Sequence, residues 1–476
     1  MKPLYLCCVK KKKKIVLERV RVEDYAAEGK SLAKLDGKVI FVENAVPGDL
    51  VDVRITRNKK DWAEGYPVVF HEYSNERVEP FCPHFGVCGG CQWQMLPYEK
   101  QLQFKQKQVE ETLQRIGKIG PIQMLPIIGA QENKFYRNKL EYTFSNRRFL
   151  LPSEISDRSV SAEANVAGFH AKGIFDKIID INSCFLQGEP TNAIRNTVKE
   201  FARAAGYSFY DIRNHQGFMR TMQLRICTTG EVMVNMVFGY DDEEKRNTLL
   251  DFILERFPGL TTLLYTINSK WNDSLTDLRP VVYYGNGYVL EKMDNFIFKI
   301  GPTSFFQTNT RQGEQLYRVA RDFAELNSTE TVYDLYCGTG SIGIFLSKKA
   351  RKIIGVEMIG AAVLDAEENA SLNNLSGSAE FYAGDVTDVC TDEFFGRHGE
   401  PDVIITDPPR VGMHEKLVEK IMDIAAPLVV YVSCNPATQA RDLNRLSEKY
   451  SVIKSQPVDM FPHTHHIENV VQLKLK

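Results

Sequence analysis

"TVYDLYCGTGSIG", Thr331 to Gly343, sets a short apolar run directly before a glycine-rich turn and a second apolar stretch. The first run has the length and β-branched content of a buried strand. Gly338 and Gly340 suit a tight turn, after which a helix opens. The pattern then recurs. "KIIGVEM", "AEFYAGD", "PDVIITDPPR" and "PLVVYVSCNP" read as further strands, with helical stretches such as "GAAVLDAEENASLNNL" between them. Regular alternation of strand and helix predicts an α/β fold with a mostly parallel, doubly wound sheet. Such sheets bind ligands beyond the carboxyl ends of their strands. Asp334, Glu357, Asp385, Asp407 and Cys434 all fall at such ends.

The chain has 476 residues, too many for one ordinary core. Three parts are expected. Residues 10–73 alternate in short strands, with Val39, Phe41, Val51, Val53 and Ile55 at period-two positions and a turn at Pro47–Asp49. This predicts a small β-barrel, and Arg54, Arg57, Lys59 and Lys60 suit a phosphate-facing surface. Residues 74–290 read as mixed α/β, with a polar helix at "YEKQLQFKQKQVEETLQRIG" and a hairpin turning at Thr229–Gly230. Residues 291–476 carry the doubly wound sheet. A net charge of −2 gives no global basic signature, so any nucleic-acid surface must be local. The lysine run from Val9 to Val22 reads as a solvated terminus. No segment has the length of a membrane span, and the lysines follow the short apolar start, the reverse of a secretory signal. A cytoplasmic protein is expected. Its ten cysteines are then thiols, metal ligands or catalytic groups.

"FCPHFGVCGGCQW" places Cys82, Cys88 and Cys91 in a Cys-x5-Cys-x2-Cys array, with Cys184 of "DINSCFLQ" as candidate fourth ligand. Zinc and an iron–sulfur cluster both accept four thiolates, and His84 could also serve zinc, so spacing leaves the two open. Downstream, the glycine loop with Glu357 and Asp385 in register predicts a nucleoside cofactor. Gly343 completes a dinucleotide-type string, so NAD must be weighed. An acidic residue at the strand end, Asp334, favours S-adenosylmethionine. In "DPPR", prolines stiffen the exit loop after Asp407, and Arg410 stands where exocyclic-amine methylation would want an aromatic ring. That leaves activation of a target carbon. A pyrimidine carbon 5 becomes nucleophilic once a thiolate adds at carbon 6, which requires a cysteine near the cofactor and a base for the carbon-5 proton. Cys434 and Glu468 fit that pair.

These motifs resemble the RNA uracil-C5 methyltransferases over nearly the whole chain, and specifically the group acting on 23S ribosomal RNA. The resemblance implies a Rossmann-like methyltransferase domain, an N-terminal TRAM module that is an OB-type β-barrel, and a mixed α/β central domain carrying an RNA-binding surface. It implies a [4Fe-4S] cluster on Cys82, Cys88, Cys91 and Cys184, S-adenosylmethionine held by Gln307, Tyr336, Glu357 and Asp407, Cys434 as nucleophile and Glu468 as general base. It further implies that the tRNA-directed branch lacks the barrel and the cysteine array, which favours ribosomal RNA here. The expected enzyme is a monomer acting on RNA, with no membrane partner. The mechanism leads to the expectation of a lowered Cys434 pKa. The alternatives are a tRNA uracil-C5 methyltransferase, an RNA cytosine-C5 methyltransferase, to which "SCNP" is a poor match, and a catalytically silent RNA-binding module.

Overall fold

The computed structural model describes residues 15–151, 154–157 and 159–476; the lysines at 10–14 lie outside the described residues. Two compact units emerge. One takes the residues up to Phe81 with 92–104 and 463–465; the other takes 82–91, 105–462 and 466–476.

The first unit carries a six-stranded sheet: β1 (Val16–Arg21), β2 (Asp24–Tyr25), β3 (Ser31–Leu35), β4 (Lys38–Val42), β5 (Leu50–Asn58) and β6 (Trp62–Glu72), in the order β1-β5-β6-β4-β3-β2. Its core includes Val20, Ala33, Ile40, Val42, Val51, Val53 and Ala63. The phase of β4 differs from expectation. Ile40 and Val42 are fully buried, whereas Val39 and Phe41 are partly exposed, with Phe41 edge-on to Trp62. "KVIFV" is apolar on both faces, so alternation alone could not choose between them. At the expected turn, Asp49 is buried. It accepts from the backbone N–H groups of Val46 and Ser74 and pairs with Arg77 at 2.6 Å.

After α1 (Tyr98–Arg115) and the short β7 (Gln123–Met124) comes a seven-stranded sheet. It comprises β8 (Lys139–Arg147), β9 (Glu163–His170), β10 (Ile178–Asp180), β11 (Met219–Ile226), β12 (Val232–Phe238), β13 (Thr262–Ile267) and β14 (Val281–Tyr284). The β11–β12 hairpin forms where expected, with Gly230 at φ 87. Helices α2 (Thr191–Ala204) and α3 (Glu243–Arg256) bury Ile194, Val198, Leu249 and Ile253 in the same core as Met222, Leu224 and Val234.

A hairpin, β15 (Val289–Met293) and β16 (Phe296–Ile300), leads into α4 (Thr310–Phe323). The expected doubly wound sheet follows, with β17 (Thr331–Leu335), β18 (Lys352–Glu357), β19 (Ala379–Ala383), β20 (Val403–Thr406), β21 (Leu428–Ser433), β22 (Tyr450–Val458) and β23 (Glu468–Leu475). The order is β19-β18-β17-β20-β21-β23-β22-β7, and β23 runs antiparallel to both of its neighbours. Intervening helices are α5 (Ser341–Leu346), α6 (Gly360–Leu372), α7 (Val386–Val389), α8 (Asp392–His398), α9 (Glu415–Ile424) and α10 (Pro436–Leu446). Val109 and Leu113 of α1 share a core with Tyr333, Val429 and Leu443, and β7 joins the edge of this sheet through β22. No described helix is long and apolar enough to cross a membrane.

The loop between β22 and β23 is held by a buried ion pair. Lys105 Nζ lies 2.6 Å from Asp459 Oδ1, with both side chains fully buried, and also donates to the Phe461 carbonyl at 3.2 Å. Asn309 and Gln312 donate to the carbonyls of Met460 and Asp459. Burial pushes the Lys105 ammonium below its usual range despite Asp459. Removing one partner of such a pair strands the other charge in the interior. Lys105→Met is therefore expected to lower the unfolding free energy by about 3–5 kcal/mol in urea titrations. Adding Asp459→Asn should recover much of the loss.

Candidate active site

The glycine loop after β17 is left-handed at three points: Tyr336 (φ 61), Gly338 (φ 53) and Gly340 (φ 74). Glycine adopts this region freely, but a tyrosine does so at a cost, and such strain concentrates at functional sites. Gly340 is also fixed by space, because a Cβ there would stand 2.9 Å from the Phe381 ring. Glu357, at the end of β18, holds the loop: its Oε2 accepts from Gly338 N–H at 3.1 Å and its Oε1 from Ile359 N–H at 2.9 Å. Each oxygen keeps capacity for a further donor such as a ribose hydroxyl. Asp334 is buried. Its Oδ2 accepts from Gly343 N–H at 2.8 Å, while Oδ1 is buried with no hydrogen-bond partner. Burial raises its carboxyl to about 7, with Asp407 and Glu357 adding to the shift. Asp385 caps α7, its Oδ1 accepting from Thr387 N–H and hydroxyl at 2.8 and 2.6 Å.

Gln307 is buried on the segment leading into α4, and Asn138 Nδ2 donates to its carbonyl at 2.8 Å. The Tyr317 hydroxyl lies 2.8 Å from Ser341 Oγ, interacts with the Gln307 side chain, and feels the charges of Asp407 and Asp334. Tyr317 thus ties the α4 face to the glycine loop. The sequence reading missed Tyr317, Ser341 and Asn138. An apolar helix face makes Tyr317 look like ordinary core, and only the fold shows its hydroxyl reaching the loop.

The two remaining candidates meet through strand register. β21 and β23 pair Val432 with Val470 and Ser433 with Asn469. Continued one rung further, that register brings Cys434 opposite Glu468, and the Cys434 thiol feels the Glu468 carboxyl. Side chains directly opposite on antiparallel strands have Cβ atoms about 4.5–5.5 Å apart. Asp407 follows the last residue of the neighbouring β20. The two exit loops are clamped together: Asn435 Nδ2 and Thr438 Oγ1 both donate to the Arg410 carbonyl, at 3.0 and 3.3 Å. Asn435 also caps α10, with Pro436 opening the helix. Asp442 accepts from Met413 N–H and from the Tyr431 hydroxyl, which fixes the far side of the "DPPR" turn. A cleft of about 500 Å³ beside Tyr336 and Pro409 opens next to it.

Electrostatics corrects one expectation. The Cys434 thiol is pushed up to about 12, not lowered; burial is the main cause, and the carboxyls of Glu468 and Asp407 add to it against the opposing Arg410. Glu468 is raised well above its usual range, by burial and then by Asp407. Burial brings Asp407 to about 7. Three acids share one poorly solvated rim, so each disfavours ionisation of the others.

The four array cysteines belong to one neighbourhood. Cys184 is buried in the core against which Cys88 and Cys91 pack, and the Cys88 thiol feels both Cys184 and Cys82. Gly90 N–H points at Cys88 Sγ at 3.4 Å, Cys82 is approached by the N–H groups of His84 and Phe85, and Cys184 by that of Leu186. Four neighbouring thiols, three of them receiving backbone donors, have the chemistry an iron–sulfur cluster takes, since its sulfurs accept such bonds. His84 lies beside them with Nδ1 unpartnered. Among the described residues, no group of three or more His, Cys, Asp or Glu side chains is arranged to hold a metal ion.

Residues 285–476 match the family model described as tRNA (Uracil-5-)-methyltransferase, and residues 17–68 match that of the TRAM domain. A relative from Bacteroides thetaiotaomicron, called an uncharacterized RNA methyltransferase, is 50% identical over 95% of this chain and 100% of its own. One of the same description from Porphyromonas gingivalis is 48% identical over 95% and 99%. The crystal structure of Pyrococcus abyssi tRNA (uracil-54, C5)-methyltransferase with S-adenosyl-L-homocysteine superposes with a TM-score of 0.72 at 28% identity, covering 96% of this chain and 100% of that one. The uncovered 4% is smaller than the barrel, so a chain-long likeness extends to a protein named for tRNA. The barrel therefore does not by itself separate ribosomal from transfer RNA.

Asp407 links the site to pH. An acid whose folded pKa exceeds its unfolded value keeps a proton that the unfolded chain has lost, so its contribution to stability falls as pH rises from about 4 to about 7. Asp407→Asn removes that cost. Its stability relative to wild type should rise across this window and level off above it, reaching on the order of 4 kcal/mol at most. Urea unfolding of both proteins at pH 5 and pH 8 measures this; an equal gap at the two values would sink the assignment.

Proposed function

The chain belongs to the tRNA/rRNA uracil-5-methyltransferase family of S-adenosylmethionine-dependent enzymes, and from that premise we propose that it methylates carbon 5 of a uridine in 23S ribosomal RNA through a covalent bond from Cys434 to carbon 6. The observation that carries the reading is the register that opposes Cys434 and Glu468 one rung beyond the last pair of β21 and β23. In this reading Asp334, Tyr336, Gly338, Gly340, Glu357, Asp385, Gln307 and Asp407 form the cofactor pocket. When bound, the cofactor supplies the methyl group and a fixed positive charge on sulfur.

The residues act in order. The Cys434 thiol loses its proton to solvent, and the resulting thiolate sulfur bonds to carbon 6, pushing the ring's π electrons into an enolate. Carbon 5 takes the methyl group. Glu468 accepts the carbon-5 proton; the double bond re-forms and the carbon 6–sulfur bond breaks, returning the thiolate. A carboxylate with a raised pKa is a stronger base and suits removal of a carbon-bound proton. Arg410 is the cation that offsets the carboxyls around the thiol. The barrel at 10–73 and the central region at 74–290 grip RNA by shape and phosphate contacts, and the target base leaves its stack to reach 291–476. Cys82, Cys88, Cys91 and Cys184 hold a [4Fe-4S] cluster with a structural role. The enzyme works as a monomer in the cytoplasm. A second reading, a transfer RNA substrate, is favoured by the likeness to the Pyrococcus abyssi protein.

Glu468→Gln should retain the first bond and lose the last proton transfer. A protein–RNA adduct should then persist with ordinary uridine RNA on denaturing gels, and Cys434→Ala should form none. Release of free methylated RNA by Cys434→Ala would end the covalent reading. Mapping 5-methyluridine in 23S and transfer RNA from a deletion strain decides the substrate: loss from 23S RNA is expected, and loss from tRNA alone would establish the second reading. Cys184→Ser should lower the iron and sulfide content of the purified protein, and unchanged content would remove the cluster assignment.

A further inference from the structure

Among the described residues Trp271 is the most exposed of the large apolar side chains, at 79%, yet it is not loose. Its ring lies on His215 with centroids 5.0 Å apart and planes within 4° of parallel. The loop that carries it, between β13 and β14, is held from below by Arg220, which is 2% exposed. Arg220 Nη1 donates to the carbonyls of Asn268 and Lys270, Nη2 to the carbonyl of Asn272 and to Asp273, and Nε to Asp273. A guanidinium has five N–H donors, and all of them go to this one loop. The same guanidinium sits 4.3 Å over the Tyr210 ring, whose hydroxyl lies 3.3 Å from His215 Nδ1. One buried cation thus orders both the loop presenting Trp271 and, through Tyr210, the imidazole beneath it.

We propose that the Trp271–His215 stack is a platform for one unpaired base of the substrate RNA, a second contact separate from the target uridine. The proposal rests on the RNA-methylating reading above. A flat ring with one face on an imidazole and the other open to solvent is preorganised for stacking, and base–aromatic stacking tolerates any sequence. The bases of a duplex already have their faces covered, so the occupant is a single-stranded or looped segment. The acids nearby are paired, Asp273 with Arg220, Asp277 with Lys270 and Asp176 with Arg213, so their charge does not stand alone against a phosphate. A protein partner is the other occupant an exposed tryptophan could take; the flat coplanar stack favours the base.

The test uses the full chain and a fluorescent oligoadenylate as probe. Trp271→Ala should bind it roughly 5- to 30-fold more weakly, within the range for one base–aromatic stack. Trp271→Phe should keep most of the affinity. The slope of affinity against salt should stay unchanged in Trp271→Ala, because no phosphate contact is removed. With ribosomal RNA as substrate, KM should rise and kcat hold. Unchanged oligonucleotide affinity in Trp271→Ala overturns the platform, as does a loss that Trp271→Phe fails to restore. Absence of methyl transfer by the wild-type protein would instead sink the enzymatic reading, while the oligonucleotide measurement would still judge the platform.

Discussion

The antiparallel insertion of β23 between β21 and β22 is the constraint on which the site depends. In an all-parallel sheet, carboxyl ends meet only carboxyl ends. Reversing one strand brings an amino end to the same rim. Cys434 leaves β21 where Glu468 enters β23, and hydrogen-bonded rungs set their separation. Strand register is stiffer than any loop, so the pair is positioned by the same bonds that hold the sheet. The loop feeding β23 must then be fixed as well. Lys105, Asn309 and Gln312 do this from other parts of the chain.

Burial sets the chemistry of that rim. Asp334, Asp407 and Glu468 are all raised, and Cys434 with them, by loss of water first; the Asp407 charge adds to the shifts of the other three. A fully ionised rim would concentrate negative charge with little solvent to screen it. Burial instead favours the neutral form of each of these groups relative to its ordinary balance. The orphaned Asp334 Oδ1 and the strained Tyr336 are further unmet demands in the same loop. A cationic ligand with hydroxyl donors would answer both the charge and the hydrogen-bonding deficit.

Much of this was legible in the chain. Strand ends, the glycine loop and the helix opened by Pro436 followed from local patterning, because short apolar runs and turn residues act over a few positions. The sheet order did not. Nothing in "HIENVVQLKL" says that its strand runs backwards beside β21, and the Cys434–Glu468 opposition exists only in that register. The phase of β4 was misread because both faces of "KVIFV" are apolar. The thiol shift was misjudged because a pKa depends on neighbours brought together by the fold; Cys434 is followed in sequence by Asn435 and Pro436, neither of them charged, whereas Glu468 and Asp407 arrive from other strands.

The same contrast separates the two kinds of surface in the second unit. At the candidate catalytic rim, polar groups are buried and under-satisfied, and the backbone is strained. On the β13–β14 loop, Arg220 takes up three carbonyls and the Asp273 carboxylate, and the aromatic ring is left open. Chemistry on one base needs the first arrangement, in which unmet charge and donors are completed by what binds. Holding a chain of varied sequence needs the second, since a flat ring asks only for another flat ring. An RNA methyltransferase working by the proposed route would have use for both, and they are built from separate sheets.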